Sequence, residues 1–106
     1  MTNPFRGEVS ITVDGRKRVM RLTLGALAAL EARLGAGSLM GLAERFEDGR
    51  VATGDLLALL AAGLAGAGEE IDEATLARAD IEGGAVAAMR AGMELLSRSF
   101  RAGAGE

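Results

Sequence analysis

A chain of 106 residues with a formal net charge of −3 has the length of one domain, taken here as 1–106, and the wrong sign of charge for general nucleic-acid affinity, which depends on neutralising phosphates. At 49% hydrophobic and 25% charged residues the chain reads as globular, not disordered. It contains no Cys and no His, which excludes a disulfide framework, a thiolate or imidazole metal site, and nucleophile–base pairs of the Ser-His or Cys-His kind.

The apolar mass is mostly Leu and Ala, with three Phe as the only aromatics and 16 Gly. A glycine inside a helix costs about 0.5–1 kcal/mol relative to alanine. Modest stability is therefore expected for an isolated monomer, with a partner or self-association supplying the rest. The N-terminus Met1-Thr2-Asn3-Pro4 lacks the basic-then-apolar pattern of a signal peptide. The longest apolar-plus-glycine run, Leu56 to Gly68, is shorter than the roughly 20 residues of a membrane span. The expectation is a cytoplasmic protein with no membrane partner.

In chain order, Glu8-Val9-Ser10-Ile11-Thr12-Val13 alternates polar and apolar with period two, the pattern of a half-buried strand. Asp14-Gly15 is a strong hairpin signal, because a type I′ turn needs positive φ at both central residues. Arg16 to Leu22 then returns, giving a hairpin over about 7–22. A two-residue loop sets Ile11 opposite Arg18 and Val9 opposite Met20, so that Val9, Ile11, Met20 and Leu22 share one face. A helix must cover that face, since a lone two-stranded ribbon is marginal in water.

The helical part is expected over about 24–101. Thr23 is a candidate N-cap for a first helix carrying Leu24, Leu27, Leu30 and Leu34 at helical spacing, closed by Gly35. Ser38 is a candidate cap for a second, with Leu39, Leu42 and Phe46 inward. Glu47-Asp48-Gly49-Arg50 reads as a turn. Thr53 or Asp55 would cap a third helix bearing Leu56, Leu57, Leu59, Leu60 and Leu64. That helix is apolar on more than one face, so it is either central or covered from outside the monomer. Asp72 caps a short helix through Leu76, and Asp80 the longest one. The inward set of the latter is read as Val86, Met89, Met93, Leu96 and Phe100, a heptad-like seam, with Glu94 and Arg98 paired on the outer face. Residues 102–106 read as a frayed tail. The fold class is thus α+β, an N-terminal β-hairpin packed on four to five short helices.

Little here can carry chemistry. Glu69-Glu70 and Asp72-Glu73 read as a solvated loop whose charges favour a helix N-terminus, and they lack the alternation of a divalent-cation loop. Gly35-Ala36-Gly37-Ser38-Leu39-Met40-Gly41 misses the dinucleotide fingerprint by one residue and follows a helix instead of a strand. Gly37-x-x-x-Gly41 reads as a tight soluble helix contact. No catalytic residue, cofactor or metal is expected. Arg16, Lys17, Arg18 and Arg21 read as a solvated hairpin tip. The two helices around Gly35 have roughly helix-turn-helix proportions, which keeps a small DNA-binding regulator as an alternative. However, Arg45 lies near the wrong end of the second helix to read bases. The sharper candidates are surplus apolar positions for a partner helix: Leu57, Leu60 and Leu64 on the third helix, and Met89, Met93, Leu96 and Phe100 on the last.

The segment Asn3-Pro4-Phe5-Arg6-Gly7-Glu8-Val9, the Asp14-Gly15 hairpin and Arg21-Leu22-Thr23-Leu24-Gly25-Ala26-Leu27-Ala28-Ala29-Leu30-Glu31 together resemble the tail assembly chaperone-like proteins of gene transfer agents, domesticated phage particles of α-proteobacteria. The likeness is best from Asn3 to about Leu64. It implies a non-enzymatic protein that binds the tape measure protein, keeps its long apolar helices soluble and helps recruit tail tube subunits. Its motif residues, such as Arg6, Gly7, Leu24 and Glu31, are expected to define the fold. A structural head–tail or tail component that stays in the particle is the alternative within the same class.

Overall fold

The Asp14-Gly15 turn brings Arg16–Met20 (β2) back antiparallel along Val9–Val13 (β1). Both turn residues have positive φ, as the type I′ reading requires. The register pairs Val9 with Met20 and Ile11 with Arg18, as the sequence implies. Five helices follow: Leu24–Leu34 (α1), Ser38–Asp48 (α2), Thr53–Gly66 (α3), Glu73–Arg78 (α4) and Gly84–Ala104 (α5). The computed structural model describes residues 7–35 and 38–104, without the side chains of Ser38 and of 100–104.

Helix α3 occupies the middle. It packs against α1, α4, α5 and β2, and buries Leu56, Leu59, Leu60 and Leu64. Of the two readings open to a helix apolar on several faces, central burial is the one realised. The hairpin contributes Val9, Ile11, Val13 and Met20 to the same core, with Leu22, Leu30, Leu42, Phe46, Leu76 and Leu95.

Two hydrogen-bonded straps hold the hairpin. The Arg21 amide donates to the Gly63 carbonyl at 2.8 Å, tying the end of β2 to α3. The α4–α5 loop docks on the free edge of β1 through a Val13–Ile81 bridge, with Asp14 N donating to Asp80 O at 2.7 Å and Glu82 N to Thr12 O at 3.0 Å. An otherwise marginal ribbon is therefore engaged along the β1 edge near its turn and tied to α3 just past the end of β2.

Close approach needs absent side chains. A Cβ on Gly66 would fall on the Arg21 carbonyl oxygen. One on Gly63 would stand 2.5 Å from Leu95 Cδ2 and 3.1 Å from Met20 Cβ. Gly92 does the same service where α5 crosses Leu56 and Phe46, each 3.0 Å from its would-be Cβ.

Caps were legible in part. Thr23 Oγ1 accepts from Ala26 N at 3.0 Å, and Asp72 Oδ1 from Thr75 N at 2.8 Å. Neither Thr53 nor Asp55 caps α3: the N-cap is Ala52, with no side-chain bond, and Asp55 pairs with Arg45 at 3.1 Å instead. Asp80 does not cap α5, which begins four residues later at Gly84; its amide donates to Asp14 Oδ1 at 2.8 Å. The hairpin contacts of the α4–α5 loop hold Asp80 extended.

Two helix faces differ from the sequence reading. In α1 the core side is Ala26 and Leu30, with Leu27 and Leu34 partly buried, while Leu24 is 86% exposed. In α5 the buried side chains are Ala88, Ala91, Leu95 and Leu96, and the expected seam residues Val86 and Met93 point outward. The small face is what permits α5 to lie close on α3. Helix α5 also continues to Ala104, three residues into the segment read as a tail, and is not short.

Candidate protein-interaction surface

The candidate partner residues separate into two groups. Leu60 and Leu64 are buried in α3 and Leu96 in α5, so all three build the core of the single chain. Leu57 and Met89 are partly buried against that core. Met93 is 49% exposed. The side chain of Phe100 lies outside the described residues.

The largest exposed apolar side chains lie elsewhere: Leu24 on α1, Met40 on α2 (67% exposed) and Val86 on α5 (69% exposed). Val86, Arg90 and Met93 follow at i, i+4 and i+7, hence on one face of α5, and all three are exposed. No ion pair joins Arg90 to another described residue. Size was the misleading signal in the sequence. Size favours Val86 and Met93 as inward residues, whereas Ala88, Ala91 and Gly92 take the inner face beside Leu95 and Leu96 because α3 is so near.

A groove of about 530 Å³ lies between α1 and α3 and is closed at one end by the α3–α4 connection. Its floor is Ala29 and Leu30 from α1 with Ala58, Ala61, Ala62 and Ala65 from α3. Alanine keeps the two backbones close yet leaves a shallow apolar channel. Its rim carries Glu69, Glu70, Asp72 and Glu73. Two of these charges are answered within the chain, Glu69 by Arg18 at 2.7 Å and Glu73 by Arg33 at 3.1 Å. Asp72 is held below the usual carboxylate range by the Thr75 backbone N–H, and so stays ionised. Glu70 is exposed and makes no ion pair with a described residue. The loop is thus more structured than a solvated turn, and the rim keeps a surplus of negative charge.

The basic cluster is also divided. Arg18 is spent on Glu69 and is only partly exposed, which corrects its reading as part of a solvated tip, while Arg16 and Lys17 are exposed. Arg45 is committed to Asp55, leaving the second helix of the helix-turn-helix reading with no free guanidinium to offer a base. Ala36 and Gly37 of the near-fingerprint lie outside the described residues. No cluster of three or more acidic side chains suited to a metal occurs among the described residues.

The family model described as phage tail tube protein, GTA-gp10, matches residues 6–102, nearly the whole chain. The chain belongs to this family. It is a tail-module protein of the gene transfer agent and phage type, as the resemblance in the hairpin and first helix implied. No curated protein and no solved structure matches it. The family's description agrees better with a component of the tail than with the chaperone role that the resemblance put first. The surface of this tail protein then consists of an acidic-rimmed alanine groove on one side of α3 and an apolar, cationic helix face on α5.

Proposed function

We propose that this chain is a non-enzymatic component of a gene transfer agent tail, working through contacts with other tail-module proteins. The match to the tail tube family over residues 6–102 carries this reading. The surface supports it. Exposed Leu24, Met40, Val86 and Met93 are ordinary singly, but Val86 and Met93 share a helix face beside a cation, and the alanine groove is concave and apolar. Such features suit protein contact. The test is the protein content of purified particles: a component is present in fixed proportion to the other tail proteins.

The groove favours a second reading, an assembly chaperone absent from the finished particle. A shallow channel floored by alanine accepts a helix at close range, and a tape measure protein offers long apolar helices. In that role the chain would hold the tape measure protein soluble and help bring tail tube subunits to it. Co-expression decides: the tape measure protein becomes soluble and co-purifies with this chain, or it stays insoluble and the chaperone reading fails.

A further inference from the structure

The groove and the α5 face are complementary, and they are on the same chain. The groove is apolar along its floor and negative at its rim, where Arg18 and Arg33 answer Glu69 and Glu73, Arg78 acts on Asp72, and Glu70 makes no ion pair with a described residue. The α5 face is apolar at Val86 and Met93 and positive at Arg90 between them. Within one copy the two cannot meet, because α1 and α5 pack on α3, which lies between them in the core.

We propose that the α1–α3 groove receives the Val86–Arg90–Met93 face of α5 from a second copy. The alanine floor takes the two apolar side chains. Arg90 then reaches the rim, where a carboxylate answers it and fixes the register. The two surfaces are different, so the contact is heterologous. A pair keeps one unused groove on one copy and one unused α5 face on the other, and the assembly grows into a ring or an open chain. Two copies each of net charge −3 repel at long range, so salt that screens this repulsion would also weaken the Arg90 contact. The contact does not depend on the tail reading and is tested in solution, without particles.

The experiment is sedimentation of the purified full chain from micromolar to millimolar concentration, with three variants. The wild type associates progressively. Ala29→Arg fills the groove and Met93→Asp places a charge on the α5 face, and each alone remains monomeric. Mixed together, these two form a one-to-one pair that grows no further, because the pair has only one intact groove and one intact face that can meet. Arg90→Glu changes an exposed charge alone and weakens association about tenfold. Circular dichroism melts verify that each variant is folded. A wild type monomeric throughout, a folded variant that associates like the wild type, or a folded mixture that does not pair would each overturn the proposal.

Discussion

Single atoms decide how closely α3 approaches the hairpin. A methyl group on Gly66 would overlap the Arg21 carbonyl oxygen, a backbone atom that cannot turn aside. Gly66→Ala is therefore expected to lower the unfolding free energy by about 1–3 kcal/mol, the range for overpacking. Gly54 sits in the first turn of α3 with open space where its Cβ would be, and Gly54→Ala is expected to raise it by about 0.5–1 kcal/mol. Urea denaturation of both variants checks the pair of signs. Asp72 gives a pH signature. Its carboxyl is lowered chiefly by the Thr75 backbone N–H. A group depressed in the folded state contributes stability above its unfolded pKa, and that contribution is lost as the pH falls through its folded pKa. Asp72→Asn keeps a good cap but does not titrate. The variant should lose less stability than the wild type between neutral pH and about pH 2–3, as read by thermal melts across that range. Parallel curves would remove Asp72 from the account.

At the scale of elements, the hairpin was fully legible because period-two alternation and Asp14-Gly15 are local signals. The caps at Thr23 and Asp72 were legible for the same reason. The helix faces were less so. In α5 the sequence offers two stripes about one residue apart, the large-residue seam of Val86, Met89, Met93, Leu96 and Phe100, and a neighbouring one of Ala88, Ala91, Gly92 and Leu95. Hydrophobicity favours the first; the nearness of α3, visible only in the fold, buries the second together with Leu96 of the first. The start of α5 was misplaced because Asp80, a good cap by type, is drawn into pairing with the hairpin turn. Leu60, Leu64 and Leu96, read as partner positions, lie in the core of the single chain, and the alanine groove has no motif to announce it. The packing makes a direct prediction. Leu95→Ala should cost about 2–5 kcal/mol, whereas Met93→Asp should change stability by less than about 0.5 kcal/mol. Thermal or urea unfolding that ranked them the other way would restore the seam read from the sequence.

The whole molecule is a small acidic body whose core is closed by α3 and whose large exposed apolar side chains, among the described residues, lie on α1, α2 and α5. A hairpin whose β1 edge is engaged by the α4–α5 loop and whose β2 strand carries the exposed charges Arg16 and Lys17 is poorly suited to adding further strands. Contacts with other tail proteins should therefore run through helices. The role in the tail is decided by where the protein ends up. The measurement that tests it most directly is quantitative mass spectrometry of purified gene transfer agent particles from cells that express the chain. The component reading predicts the chain in the particles at a constant ratio to the other tail proteins. Complete particles lacking it would contradict that reading and leave assembly, without incorporation, as its place.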